Sequence, residues 1–153
     1  MAVKVLYAKK HHLLEEDPKF EARERLIREA SNMERLNVSQ HPNFPVLLAY
    51  DTLSLPYHLI TAFEKFGNLL QFVRMSRERE PHLKPIQLLK MLSDISGALL
   101  HLQELGFVHR AVMAENILVG ENYVCKLTGL HTVRPFNQEI GRASCRERVY
   151  VLV

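Results

Sequence analysis

Residues 107–130 read FVHRAVMAENILVGENYVCKLTGL. Two short apolar runs, at residues 117–119 and 124–127, flank the triplet Gly120-Glu121-Asn122. Gly and Asn between such runs are typical of a β-hairpin, because both residues adopt turn conformations easily. The pattern therefore predicts two paired strands that follow a tight polar loop.

The polar loop resembles the catalytic loop of protein kinases, in the tyrosine-kinase form. The catalytic loop of that family contains the motif His-Arg-Asp, followed at a fixed distance by Asn. His109, Arg110 and Asn116 match, but position 111 is Ala. The resemblance implies structural roles for His109, which braces the loop, and for Arg110, which grips a phosphorylated activation loop. The family's Asp orients the substrate hydroxyl and accepts its proton, and Ala111 has no group that can do either.

The next motif of the family is Asp-Phe-Gly, whose Asp holds Mg²⁺. Alignment of the second strand places Gly129-Leu130-His131 on this triplet. Gly129 cannot bind a metal, and His131 replaces a small residue that lets the backbone turn. Asn116 is the metal position that remains. The resemblance therefore implies a cleft for ATP in which Mg²⁺ binding is weakened and catalysis is impaired.

Two earlier positions complete the implied nucleotide site. By periodicity alone, residues 1–6 predict an edge strand with a solvated lysine, but Ala2-Val3-Lys4 also matches the family's strand whose lysine contacts the α- and β-phosphates. Asp17-Pro18 predicts a helix start. The helix resembles the family's helix C, which makes Glu29 the partner of Lys4; alternatively, Glu29 is one more solvated glutamate. Apolar residues recur along it at helical spacing, at Ala22, Leu26, Ala30 and Met33.

Residues 45–50 and 57–63 are predicted strands, and Phe66-Gly67-Asn68-Leu69 after them resembles the hinge of receptor-type tyrosine kinases. The resemblance implies a gatekeeper and a hinge whose backbone hydrogen-bonds the adenine edge, and it adds one apolar contact to the nucleotide. These ATP-binding positions are Thr61 as gatekeeper, Ala62, Phe63 and Glu64 along the hinge, and Leu118. Asn68 is also predicted to cap a short helix over residues 69–74.

The clearest predicted helix covers residues 86–105. Its apolar stripe consists of Leu88, Leu92, Ile95, Leu99 and Leu102, and Gly106 is a good C-terminal cap. The resemblance makes this helix the core of the larger kinase lobe. Much of what should cover the stripe is missing, so we expect the chain alone to be poorly soluble.

Composition excludes little. The 153 residues are 47% hydrophobic and 24% charged, which is ordinary for a globular protein. The net charge of +3 is too small to favour a nucleic-acid partner. Two cysteines form neither a disulfide framework nor a zinc-ligand set. Residues 139–149, EIGRASCRERV, resemble the translation of a synthetic sequencing adapter; the alternative is a short basic disordered end.

These observations predict an α+β fold, a two-lobe protein-kinase fold that is incomplete. Residues 1–64 are expected to form part of the small lobe to the hinge, residues 65–136 the start of the large lobe, and residues 137–153 a non-native tail. The implied function is a pseudokinase scaffold or allosteric partner; the alternative is an ATP-dependent tyrosine kinase. Expected partners are signalling proteins or another kinase, on the cytoplasmic side, with a membrane only if the parent protein is a receptor.

Overall fold

The computed structural model describes residues 2–6, 18–38, 40–78 and 83–136. Side chains at 2–6, 18–22, 37–38 and 77–78 are not described. The predicted helix start at Asp17, the apolar position Ala22 and the tail over residues 137–153 therefore lie outside the described part. The boundary predicted between residues 64 and 65 stays a prediction.

The first half of the chain forms a small antiparallel sheet beside a long helix. Strands β1 (Ala2–Leu6), β2 (Leu47–Asp51) and β3 (Tyr57–Thr61) pair in the order β1-β3-β2. Helix α1 (Pro18–Val38) packs against β3. Its buried face is Leu26, Ala30 and Met33, as the periodicity predicts. The mixed α+β class predicted from the sequence is confirmed in this coarse form.

The second half is built around two helices, one short hairpin and one pair of two-residue strands that are distant in the chain. Helix α2 (Leu69–Glu78) is followed by α3 (Pro85–Glu104). Strand β4 (Phe107–Val108) pairs with β7 (Arg134–Pro135), and β5 (Ile117–Val119) pairs with β6 (Cys125–Leu127). Single turns of 3₁₀ helix lie at Ala114–Asn116, Glu121–Tyr123 and Leu130–Thr132. The β5–β6 pair confirms the hairpin predicted over residues 117–127.

Several predicted boundaries were wrong for local reasons. The strand predicted over residues 57–63 ends at Thr61, because the chain then enters a turn in which the Glu64 carbonyl accepts the Gly67 N–H at 3.2 Å. The second hairpin strand starts one residue late, because the Val124 N–H closes the preceding turn on the Glu121 carbonyl at 3.2 Å. Helix α2 runs past the predicted end at residue 74 to Glu78. The β4–β7 pair was missed.

Helix α2 has the cap that the sequence predicts. The Asn68 Oδ1 accepts the Gln71 N–H at 2.9 Å, and the Gln71 Oε1 accepts the Asn68 N–H at 3.3 Å. This reciprocal arrangement satisfies two N–H groups that the first helical turn leaves open. Helix α3 ends as predicted, with Gly106 in the left-handed region at φ 79°.

The apolar stripe predicted on α3 is buried only in part. Leu102 is buried and Ile95 and Leu99 are half-buried, but Leu88 and Leu92 are exposed. The side chains of α3 that are fully buried are Met91, Ala98 and Leu102. The described residues thus provide no cover for the amino-terminal half of the stripe, in keeping with the expectation that part of its cover is missing.

Asn43 joins the two halves of the chain. Its carbonyl accepts the Leu127 N–H at 2.8 Å, and its side-chain amide donates to the Cys125 carbonyl at 2.9 Å. Asn43 is itself buried. The loop that follows α1 is therefore fastened directly to β6, which ends just before Gly129.

Candidate functional site

The loop at residues 109–116 is braced by a buried histidine. The Nε2 of His109 lies 2.8 Å from the Thr128 carbonyl, and its Nδ1 lies 3.3 Å from the Ala111 backbone nitrogen. A carbonyl only accepts and a backbone N–H only donates, so the proton sits on Nε2. Burial lowers the pKa of His109, although the bond to Thr128 acts in the opposite direction. The structure thus places a neutral ring between the loop and the strand end. The next residue, Arg110, has left-handed backbone at φ 71° and is exposed.

Three predicted site positions lie side by side. The Asn116 side-chain amide donates to the Ala111 carbonyl at 2.9 Å, and the Asn116 carbonyl accepts the Thr128 N–H at 2.8 Å. Gly129 follows in left-handed conformation, with φ 77°. A Cβ atom at 129 would stand 2.7 Å from the Cγ of Asn116. The structure therefore brings Ala111, Asn116 and Gly129 together, with the Asn116 amide as their one polar side chain.

The hinge positions follow β3. Thr61 and Ala62 are half-buried, and the Phe63 side chain is 62% exposed. The Glu64 carbonyl closes a turn by accepting the Gly67 N–H at 3.2 Å. Among the described residues, the Ala62 carbonyl and the Glu64 N–H make no hydrogen bond. One acceptor and one donor on neighbouring stretches of backbone are thus available to a ligand edge.

Leu118 lies beside the segment that follows the hinge. It is half-buried in β5, opposite Lys126 in β6, and forms an isolated bridge with Asn68. The Val119 N–H bonds to the Gly67 carbonyl at 2.8 Å, and the Val119 carbonyl accepts the Phe66 N–H at 3.0 Å. The hinge segment is therefore held against β5 by two backbone hydrogen bonds at Val119, the residue after Leu118.

An ion pair that sequence reasoning missed lies at the same place. The Nζ of Lys126 is 2.7 Å from Oε1 of Glu64, and these side chains are only 18% and 9% exposed. A residue of β6 thereby fixes the carboxylate of a hinge residue. The sequence did contain a signal for this pair. In the strand Cys125-Lys126-Leu127 apolar and polar residues alternate, so Lys126 faces away from the core in which Cys125 and Leu127 are buried.

Glu29 points inward from α1. It is 2% exposed, so the alternative of a solvated glutamate was wrong. Lys4, its predicted partner, lies in β1 opposite Leu59, but its side chain is outside the described part and the pair stays a prediction. Oε2 of Glu29 lies 3.5 Å from Nδ1 of His131. The structure therefore connects Glu29 with the turn that follows Gly129, a contact that the sequence analysis did not foresee.

The donor set does not fit a Mg²⁺ site of the kinase type. Mg²⁺ favours carboxylate oxygens with near-octahedral geometry, and of the two family positions only Asn116 offers an oxygen. Among the described residues no three His, Cys, Asp or Glu side chains are grouped closely enough to hold a metal. The backbone groups at Ala62 and Glu64, in contrast, offer one acceptor and one donor that make no hydrogen bond among the described residues.

No helix in the described ranges is both long enough and apolar enough to cross a bilayer. The longer helices, α1 and α3, both bury one face against other parts of the protein. They therefore serve as packing elements of this fold.

Comparison with known proteins gives a family. The sequence pattern described as "Protein tyrosine and serine/threonine kinase" matches residues 2–147. The matched range includes the loop at residues 109–116, the hinge positions and residues 129–131. It also runs into residues 137–147, and the adapter origin of the tail stays a prediction.

Individual relatives are tyrosine kinases. The chain is 36% identical over 104 residues to tyrosine-protein kinase ABL2 of Homo sapiens, covering 68% of this chain and 8% of the relative. It is 39% identical over 89 residues to ephrin type-B receptor 4b of Danio rerio, covering 58% and 9%. It is 29% identical over 114 residues to tyrosine-protein kinase SRK3 of Spongilla lacustris, covering 74% and 33%. The chain spans a third or less of these relatives, and it belongs to the protein kinase family as part of a tyrosine-kinase domain related to the Abl and ephrin-receptor kinases.

Proposed function

We propose that this chain forms the nucleotide cleft of a catalytically impaired tyrosine-kinase-like domain, which acts as a signalling scaffold or allosteric partner. Protein kinases as a family use ATP and Mg²⁺. The observation that carries the proposal is a contrast within one site: Ala111 and Gly129 have no side-chain oxygen, whereas His109 and Asn116 keep the loop packed.

The cleft supports ATP-type binding through its backbone. The Ala62 carbonyl would accept from the exocyclic amine of adenine, and the Glu64 N–H would donate to a ring nitrogen beside it. Both groups have no other partner among the described residues. Thr61 and Leu118 are half-buried around this edge, which suits a flat apolar ring. Because these contacts use the backbone, they tolerate side-chain change.

Phosphoryl transfer, unlike nucleotide binding, depends on side-chain groups that this site does not supply. A positioned general base is worth a rate factor of roughly 10²–10⁴ in enzymes generally, and Ala111 supplies none. When bound in a kinase, Mg²⁺ neutralises charge on the phosphate oxygens, but of the two family positions only Asn116 has a side-chain oxygen here. The loss of both groups accounts for the impairment that we propose.

A kinase domain that keeps its fold but has impaired catalysis is suited to a regulatory role. We propose signalling proteins or another kinase as partners, contacted on the cytoplasmic side. A membrane enters only if the parent protein is a receptor. The net charge of +3 gives no reason to propose a nucleic-acid partner.

Nucleotide binding is tested by titrating the full-length protein with a fluorescent ATP analogue, with Mg²⁺ and with EDTA. We expect saturable binding that EDTA changes little. Thr61→Phe should fill the cleft and weaken binding by roughly tenfold, equivalent to about 1.4 kcal/mol. Leu53→Phe is the matched control, because Leu53 is 92% exposed in a surface loop. An unaffected Thr61→Phe variant would overturn the placement of the nucleotide.

Catalysis is tested with a tyrosine peptide and the full-length protein. We expect no transfer above background in the wild type and no easy rescue by the double variant Ala111→Asp/Gly129→Asp. Transfer by the wild type that Lys4→Met abolishes would instead favour the second candidate, an active ATP-dependent tyrosine kinase. The buried Glu29 and the hydrogen-bonded Asn116 are the observations that favour this candidate.

A further inference from the structure

The side chain of His131 lies between two charged residues of α1. Its Nε2 is 3.1 Å from the Nη2 atom of Arg25, and its Nδ1 is 3.5 Å from Oε2 of Glu29. The His131 and Glu29 side chains are 16% and 3% exposed. Arg25 and Glu29 are four residues apart and so lie on one face of the helix. One ring therefore contacts two successive turns of α1.

The partners fix where the proton on this ring must be. A guanidinium has five N–H donors and no acceptor, so Nε2 of His131 has to accept from Arg25. A neutral ring carries one proton, which is then on Nδ1 and faces the Glu29 carboxylate. Nδ1 is shielded from solvent and has no hydrogen bond in the described structure. The Glu29 carboxylate, at the long distance of 3.5 Å, is thus its electrostatic neighbour.

A second tie, independent of the ring, holds the same turn. The Asn32 side-chain amide donates to the Leu130 carbonyl at 2.7 Å. Leu130 is fully buried, and α1 packs along the 3₁₀ turn Leu130–Thr132. The ties at Arg25, Glu29 and Asn32 together span two turns of the helix. Only the ties at Arg25 and Glu29 need a histidine at 131.

We propose that His131 is a positioning residue: its neutral Nδ1–H form bridges Arg25 and Glu29 and holds α1, with Glu29 inward, against the turn after Gly129. A small residue at 131 leaves both contacts unmade. The bridge needs neither metal nor nucleotide, so it sets the position of α1 in the unliganded protein. The inference concerns the position of this helix, and it holds for either function proposed above.

The bridge predicts a spectroscopic signature. A free neutral histidine favours the Nε2–H tautomer in water, whereas the bridge requires Nδ1–H. Long-range ¹H–¹⁵N correlation spectra of the full-length protein, labelled on histidine nitrogens, distinguish the two. We expect Nδ1–H for His131 in the wild type. An Nε2–H tautomer in the wild type would overturn the proposal, because Arg25 could not then donate to the ring.

Hydrogen exchange measures the effect on α1. His131→Ala should speed exchange in peptides covering residues 23–36 by roughly 2- to 10-fold, the range expected for one modest hydrogen bond. His131→Gln, whose side-chain oxygen reaches the former Nε2 position, should restore slow exchange through Arg25 alone. Asn32→Ala is the comparison variant, because it removes a tie to the same turn and leaves the ring in place.

The outcomes separate the bridge from simple packing. If His131→Gln and His131→Ala loosen α1 equally, the ring acts only by its bulk and the bridge is refuted. If Asn32→Ala loosens α1 but leaves the tautomer of His131 unchanged, the two ties are independent, as proposed. A change of tautomer in Asn32→Ala would show that the ring merely follows the backbone, and would also refute the bridge.

Discussion

Asn116 and Gly129 share one space: the Cγ of Asn116 lies 2.7 Å from the position that a Cβ atom on residue 129 would take. Carbon atoms in favourable contact stand about 3.5–4.0 Å apart. The backbone of Gly129 also has φ 77°, which glycine adopts without steric cost. A side chain at position 129, such as the carboxylate of the family, would therefore collide with Asn116 in the present packing of this loop.

Restoring an acid at position 129 should destabilise the protein. We expect Gly129→Asp to lower the free energy of unfolding by roughly 1–3 kcal/mol, the usual cost of inserting atoms into a packed site. Gly106→Asp is the matched control, because Gly106 has nearly the same φ, 79°, and a Cβ there meets nothing within 4 Å. Urea denaturation of both variants gives the difference. Equal losses would mean that Asn116 moves aside freely.

The buried ring of His109 should make stability depend on pH. Its pKa is lowered from 6.5 chiefly by burial, so the unfolded chain binds the proton more readily than the folded one. The stability that the neutral ring contributes is fully present above about pH 6.5 and is lost as the pH falls through the lower folded pKa. His109→Gln, which keeps a donor for the Thr128 carbonyl, should flatten the pH dependence below 6.5. Thermal melts from pH 5 to 8 measure this, and parallel curves for the two proteins would contradict it.

The Lys126–Glu64 pair should matter more than a surface pair. Lys126→Met leaves a Glu64 carboxylate that is only 9% exposed without its cation, and we expect a loss of roughly 1–3 kcal/mol. Lys65→Met is the control, because the Lys65–Glu121 pair, at 3.3 Å, has side chains 59% and 74% exposed. Such surface pairs contribute about 0–1 kcal/mol. Chemical denaturation of both variants tests the ranking, and a larger loss at Lys65 would reverse it.

The outer face of α3 should drive self-association of the isolated chain. Ile86, Leu89 and Leu92 are 69%, 62% and 61% exposed, and apolar side chains clustered on one surface favour association. We expect Leu89→Glu/Leu92→Glu to increase the monomer fraction in size-exclusion chromatography with light scattering. Met91→Glu is the contrasting variant: Met91 is 3% exposed, so a carboxylate there should unfold the chain. A wild-type chain that is already monodisperse would contradict the prediction.

Elements with a strong local signal could be predicted from the sequence. The buried face of α1, the Asn68 cap and the β5–β6 hairpin follow from spacing and turn residues alone. The β4–β7 pair could not be foreseen, because each strand has two residues and the pairing joins positions far apart in the chain. A two-residue strand carries no periodicity to read.

The candidate site, like the fold, could be predicted from the sequence only in part. Motif spacing predicted that Ala111, Asn116 and Gly129 belong to one site, and the structure brings these three residues together. The contacts of Lys126 and His131 were missed because each depends on a side chain that reaches a residue on a distant element. In the sequence His131 was visible only as a substitution at a turn. Its orientation toward α1 needed coordinates.

The hydrogen bonds of Asn43 bear on which end of α1 a partner protein could displace. Its two hydrogen bonds clamp the chain just beyond the carboxyl end of α1 onto β6, while the opposite end is tethered through long side chains such as Arg23, whose Nε donates to the Thr52 carbonyl at 3.1 Å. The two ends of α1 are therefore held in different ways: by backbone and amide hydrogen bonds beyond its carboxyl end, and by long side chains at its amino-terminal turns. Arg25 lies roughly 20 Å along the helix from its carboxyl end at about 1.5 Å of rise per residue. We expect a partner protein that binds near Arg25 to displace Glu29 more readily than one that binds near Leu36.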